Sequence, residues 1–207
     1  MFPDLTRDDV FRLETRRMWL RWPRASDAGA VQAIASRKEV ALQTSAIPHP
    51  YPPQGADAYI LAARAHNTSG AALNLGLTLR TGTRDFIGFV SAEIRPRNRA
   101  YLGYALHPDY WGQNYTTEAV QAMIDTLFSV TPTVEIGAKV RVANPASKRV
   151  LEKCGFTHSG IGMSPSAALG GSQPVDTFTL DQKVWASLKG WRMPQMSAAS
   201  AKAELNP

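Results

Sequence analysis

HPDYWGQNYTTEA, residues 107–119, is the stretch on which the fold turns. It follows an apolar run, Tyr101 to Leu106, that reads as a strand. It leads into Asn114 to Phe128, where Ala119, Val120, Met123, Ile124 and Leu127 recur on one helical face. A strand that enters a helix through a tight turn presents free backbone N–H groups and the positive end of the helix dipole. Together these make an anion site suited to a pyrophosphate. Gly112 permits close approach, Asn114 tolerates positive φ, and Thr116 and Thr117 add hydroxyl donors. The same residues also suit an ordinary turn in which Thr116, Thr117 and Glu118 merely cap the helix. A short glycine-containing turn does not decide between the two.

A second stretch, NPASKRVLEKCGF (144–156), follows a strand expected over Val134 to Val142. Pro145 opens a short helix that runs through Lys153, and Gly155 closes it as a glycine just past a helix end does. Asn144 ends the strand where it can bond a ligand amide or its own backbone, and Ser147 projects from the first helical turn. Capping explains both residues equally well. Upstream, Arg12 to Arg21 reads as a first strand, and Ser26 as the N-cap of a helix reaching about Arg37. IPHPYPP (47–53) is too rich in proline for regular structure, and Ala56 to His66 has helical spacing. Ala71 to Leu79, Phe86 to Ile94 and Tyr101 to Leu106 read as a meander of three antiparallel strands joined by short turns. Phe156 to Met163 and Val175 to Trp185 read as the last strands. The order is mixed α/β around one central sheet.

The chain has 207 residues, of which 44% are hydrophobic, enough for one domain with its own core. We take 1–190 as that domain, and the Ala- and Ser-rich stretch 191–207 as a flexible tail. Cys154 is the only cysteine, which excludes an internal disulfide and a Cys-based zinc site and fits a reducing cytoplasm. No apolar run reaches membrane-spanning length, and the start MFPDLTRDDVF is too acidic for a signal peptide. The expectation is a soluble cytoplasmic protein without a membrane partner. A net charge of +6 favours an anionic partner. The basic residues are scattered rather than interleaved with aromatics, which argues against nucleic acid.

The two motifs, with LETRRMWLR (13–21), the proline-broken IPHPYPP, IGFVSAEI (87–94) and LGYALHPDYWGQNYTTEA (102–119) in order, resemble the GNAT acyltransferase superfamily. The likeness is to its RimJ/RimL branch, the ribosomal-protein N-terminal acetyltransferases, and it extends from about Leu13 to Trp185. The resemblance implies a mostly antiparallel sheet of about seven strands, splayed between the fourth and fifth and flanked by about four helices. Acetyl-CoA would be the cosubstrate, with its pantetheine in the cleft, and direct transfer needs no metal. It further implies that Tyr104, Ala105 and Leu106 meet the pantetheine through their backbone. The pyrophosphate would lie on the N–H groups of Trp111, Gly112, Gln113, Asn114, Tyr115 and Thr116, while Asn144 would contact the pantetheine arm and Ser147 the region of the thioester sulfur. The usual pattern has Gly or Ala at the positions of Asn114 and Thr116, and Arg or Gln at that of Trp111. Thr116 adds bulk where the pyrophosphate approaches. At Tyr101, where this branch often carries an acid, no general base can be copied over.

Acetyl transfer to a primary amine by direct attack in a ternary complex needs a neutral amine, oxyanion stabilisation and a proton for the thiolate. An α-amine has a pKa of about 8 and is partly neutral at neutral pH, so a weak base suffices. Backbone N–H groups at the splayed strand suit the oxyanion. Ser147 is the candidate acid, and Glu93 and His107 are candidate bases, with Glu118 third. Each candidate base has a bland reading too: Glu93 as a solvated strand residue, His107 as a loop residue before Pro108, and Glu118 as a helix-dipole partner. Tyr51, Tyr59, Trp19 and Trp22 are candidates to line the acceptor side, or else belong to the core. The acceptor, a protein N-terminus or a small-molecule amine, is left open by fold-level analogy. Two other classes stay in play, a non-catalytic acetyl-CoA sensor and an RNA- or ribosome-associated binding module. A homodimer is common among relatives.

Overall fold

The computed structural model describes residues 11–192. Eight strands form one sheet in the order β1-β2-β3-β4-β5-β6-β8-β7. They are β1 (Arg12–Glu14), β2 (Met18–Arg21), β3 (Ala72–Leu79), β4 (Phe86–Arg95), β5 (Arg99–Leu106), β6 (Glu135–Arg141), β7 (Thr157–Pro165) and β8 (Ser172–Asp181). Between them run the helices α1 (Ala28–Ala35), α2 (Lys38–Ala41), α3 (Gly55–Ser69), α4 (Tyr115–Val130), α5 (Pro145–Lys153) and α6 (Gln182–Arg192). Every pairing is antiparallel except that of β5 with β6. A parallel pair needs a crossover, and α4 supplies it.

One face of the sheet packs on α4 and α5 through Leu73, Leu75, Val90, Leu102, Met123, Leu127 and Leu151, all buried. The other is covered near its centre by α1 and α3, where Val31, Ala56 and Ile60 cluster beside Tyr59. The periodic apolar face read in 114–128 is therefore the seam between helix and sheet. Leu127, with no exposed surface, sits in that seam. Leu127→Ala is expected to cost about 3 kcal/mol, or roughly 6–12 °C in Tm, by thermal unfolding.

Several boundaries differ from the sequence reading. Arg12 to Arg21 is a hairpin and not one strand, which raises the strand number to eight. Thr15 reverses the chain, its N–H reaching Met18 O (3.0 Å) and its hydroxyl accepting from Met18 N–H (3.0 Å). Ser26 does not cap α1. Residues 25–27 form a 3-10 turn, and Asp27 accepts from Arg24 N–H (2.7 Å) and twice from Arg21 (2.8 and 2.8 Å). The chain leaves β8 after Asp181 and becomes helical, so Trp185 lies on α6, its ring 5.2 Å from that of Phe128. That helix, together with the single turn α2, raises the number of helices among the described residues to six. Of the expected tail, 191 and 192 are helical backbone, and 193–207 lies outside the described residues, as do residues 1–10. Helix α5 has the predicted limits, Pro145–Lys153, and Gly155 follows it at φ 91°. No helix among the described residues is long and apolar enough to cross a membrane.

Candidate active site

The parallel pairing of β5 and β6 ends at Leu102 with Ala138, although β5 continues to Leu106 and β6 to Arg141. Beyond that point the strands part and line a cleft of about 1330 Å³. The ladders fix what faces it. His107 N–H donates to Ile87 O (2.8 Å), so by antiparallel alternation the odd residues of β5 bond β4, and the main-chain groups of Tyr104 and Leu106 point into the split. Val142 N–H donates to Pro174 O (3.3 Å), which in the same way turns the main chain of Lys139 and Arg141 toward the cleft. The cleft thus has two sheet edges that β-pairing leaves free, a template for an extended ligand rich in amides. Ala105 does not share the expected backbone role. Its main chain belongs to the β4 ladder, and its buried side chain packs with Ile34 and Val40.

At the top of β5 the chain enters the loop before α4. Gly112 (φ 75°) and Asn114 (φ 60°) both adopt the left-handed conformation. The helix's own ladder begins with Glu118 N–H to Asn114 O (3.1 Å), which leaves the N–H groups of Tyr115, Thr116 and Thr117 ahead of it. Gly112 and Thr116 line the cleft. Trp111 departs from its expected role: its backbone N–H is bonded to Pro108 O (2.9 Å). Its indole Nε1 instead donates to Leu106 O (2.8 Å), strapping the loop to the end of β5. Lys153 Nζ donates to Asn114 Oδ1 (2.9 Å) and adds positive charge beside the loop.

Arg17, from the hairpin turn, clamps this loop. It bonds Glu118 through its backbone N–H (2.8 Å) and Nε (2.7 Å), donates to Gln113 O (3.0 Å), and stacks 4.1 Å over the Tyr115 ring. Burial on its own would raise the Glu118 pKa, but hydrogen bonds from Thr15 and Arg17 outweigh it and hold the carboxyl below its usual range. Glu118 is therefore a charged strut and not a base. Its stabilisation is full above the unfolded value of about 4.3 and is lost as pH falls through the lower folded value. Arg17→Ala is expected to lower Tm near neutral pH. The gap to wild type should narrow as pH falls below the unfolded carboxyl value and through the lower folded one, measured as Tm against pH.

Across the cleft, Asn144 Oδ1 accepts from Ser147 N–H (3.0 Å) and caps α5. Its amide nitrogen is left for a ligand. Ser147 Oγ lies 2.7 Å from Tyr104 Oη, which also reaches Ser147 O (3.2 Å). Sequence reasoning missed this pair, having given Tyr104 a backbone role alone. Burial raises the Tyr104 pKa well above that of an ordinary phenol, so it stays a proton donor at neutral pH.

On the side under α1 and α3 the cleft is lined by Tyr51, Tyr59, Phe89, Ser91, Glu93 and Tyr101. The rings of Tyr59 and Phe89 are 5.3 Å apart, and burial raises the pKa of both Tyr51 and Tyr59. Glu93 is the one carboxylate lining the cleft among the described residues, and Arg95 Nη2 lies 2.6 Å from it. His107 is outside: its Nδ1 accepts from Asp109 N–H (3.3 Å) and caps the turn Pro108–Tyr110, so it is no base candidate. Trp22 is also misplaced as an acceptor contact. It is a core residue, 4% exposed, and does not line the cleft. Trp19 likewise lies away from the cleft, between the guanidinium groups of Arg12 (4.2 Å) and Arg80 (4.8 Å).

Comparison with known proteins agrees with this fold. The profile of the acetyltransferase (GNAT) domain family matches residues 17–157, more than half of the chain. An uncharacterized N-acetyltransferase of Bacillus subtilis, YoaA, is 32% identical over 84 residues, 40% of this chain and 48% of that protein. The chain spans about half the length of the curated relatives it matches first. Among solved structures, Mycobacterium smegmatis RimJ in complex with CoA-disulfide superposes with a TM-score of 0.73 at 18% identity, covering 87% of this chain and 93% of that one. The ribosomal-protein-S5-alanine acetyltransferase of Vibrio fischeri superposes with a TM-score of 0.71 at 22% identity, covering 84% and 98%. At such identities these likenesses establish the fold.

Proposed function

The chain belongs to the GNAT acetyltransferase family, and from that premise we propose that it transfers the acetyl group of acetyl-CoA to a primary amine by direct attack in a ternary complex. The observation that carries the proposal is the parting of β5 and β6, with two free main-chain edges that run up to a left-handed loop and a helix N-terminus. The residues fit the substrate. Main-chain groups of Tyr104, Lys139 and Arg141 and the Leu106 N–H, with the Asn144 amide nitrogen, can match pantetheine amides. The free N–H groups at the start of α4 can receive the pyrophosphate. Nothing lies within 4 Å of a Cβ placed on Gly112, so the loop is open above.

The other roles follow from this placement. A main-chain N–H at Tyr104 or Leu106 is fixed to meet the oxyanion at no reorganisation cost. Ser147 Oγ protonates the departing thiolate, the Tyr104 phenol returns that proton to the serine, and solvent in the cleft reprotonates the phenolate. Glu93, or water beside it, takes the proton of an amine already partly neutral at physiological pH. Tyr51 and Tyr59 shape the acceptor side. Residues 1–190 act as one domain, and a cytoplasmic setting suits its single buried thiol.

The reading is tested by thiol release from acetyl-CoA over a panel of amines and N-terminal peptides. Release that requires Ser147 supports it. Binding of acetyl-CoA without release for any acceptor would replace it with a sensor function.

A further inference from the structure

The charge around the acceptor half of the cleft is one-sided. Arg95, Arg97, Arg99, Lys139 and Arg141 line it against Glu93 alone. Arg95 is paired with Glu93, and Arg99 with Glu135 (3.1 Å). Neither Lys139 nor Arg141 has a carboxylate partner among the described residues. Arg141 is held by neutral groups only. Its Nη1 donates to Leu42 O (2.8 Å) and its Nη2 to Gln173 Oε1 (3.4 Å), while its Nε is buried without a partner. A part-buried guanidinium held by neutral groups alone has its charge unmatched, and a carboxylate in the cleft is its natural complement.

These cations share a face with the acceptor contacts. A Cβ on Gly137 would meet the Tyr101 ring at 3.2 Å, so the side chains of 137, 139 and 141 alternate onto the face of Tyr101, whose cross-strand partner is Glu93. Lys139 Nζ lies 5.9 Å from the centre of the Tyr101 ring. Glu93, paired with Arg95, and the cations Lys139 and Arg141, neither with a carboxylate partner, therefore stand on either side of Tyr101.

We propose that the acceptor is an amine bearing a nearby carboxylate, its ammonium end toward Glu93 and its carboxylate on Lys139 and Arg141. The inference rests on the acetyltransferase reading above. The carboxylate belongs either to a free amino acid or to an acidic side chain in the first positions of a protein N-terminus.

The test titrates the protein–CoA complex with C-terminally amidated peptides Ala-Glu-Glu-Tyr, Ala-Gln-Gln-Tyr and Ala-Lys-Lys-Tyr, and with free glutamate. The glutamate peptide or free glutamate is expected to bind at least about tenfold more tightly than the lysine peptide, with a difference that shrinks in salt. Binding of one and not the other identifies the source. Arg141→Gln and the exposed Lys139→Met, which alter side chains and not the main-chain groups assigned to pantetheine, should each reduce the preference to below about threefold. The Lys139 variant serves even where loss of the Arg141 guanidinium unsettles the loop at Leu42. Equal or reversed peptide affinities, with free glutamate binding no more tightly than the lysine peptide, would overturn the proposal. So would a loss of CoA affinity in both variants, since the cations would then serve the thioester substrate. Failure of the wild-type protein to bind CoA at all would instead overturn the acetyltransferase reading.

Discussion

Thr116→Glu is expected to weaken acetyl-CoA binding by at least about 100-fold, a change of about 2.7 kcal/mol, while thermal stability holds or rises slightly. The opposite signs follow from one location. Thr116 sits in the first turn of α4, where a carboxylate complements the helix dipole and satisfies N–H groups that the ladder leaves over. The same carboxylate fills the place assigned to the pyrophosphate and repels it. Calorimetry with acetyl-CoA and a melting curve separate the two effects, because a merely damaged loop would lose in both. Thr116→Ser should remain within about threefold of wild type, as the hydroxyl is kept. Unchanged affinity in the glutamate variant would mean that the phosphates bind elsewhere.

Ser147→Ala and Tyr104→Phe are each expected to lower kcat by about 10²-fold with acetyl-CoA affinity within about threefold of wild type. The two hydroxyls are 2.7 Å apart and act as one donor. The double variant should therefore be no slower than the slower single one, the non-additivity that marks groups working as a unit. Additive losses would show two independent roles. A fall in affinity without a fall in kcat would reduce the pair to a structural bridge between β5 and α5. Because burial keeps the Tyr104 phenol protonated, its ionisation should not limit the rate on the alkaline side of neutrality.

Much of this site was legible in sequence because it rests on local rules. A strand, a glycine, an asparagine and an amphipathic helix in series are enough to predict a left-handed loop and a free helix terminus. Asn-Pro with a glycine after Cys154 is enough to bound α5. What could not be read depends on contacts between distant segments. Tyr104 and Ser147 are 43 residues apart, and neither strand nor helix periodicity aims one hydroxyl at the other. The phase of the β5 ladder, which admits Leu106 and excludes Ala105, is set by β4 through Ile87 and His107. The hairpin at Thr15 was hidden because its turn contains no Gly, Pro, Asn or Asp, and its closure relies on a threonine hydroxyl. For His107 and Trp22, residue type and nearness to a motif in sequence say nothing of side-chain direction: one caps a turn and the other is core. The departures from the family pattern at the loop also have structural accounts. Asn114 takes up the left-handed conformation and binds Lys153, and Trp111 ties the loop to Leu106.

The account stands on the claim that the parted strands and the loop at 111–116 form an acetyl-CoA site, and calorimetric titration of the purified protein with acetyl-CoA tests it most directly. The result predicted is one site per chain with affinity on the order of micromolar, about −8 kcal/mol, lost in Thr116→Glu. Absence of binding to the folded wild-type protein would contradict it.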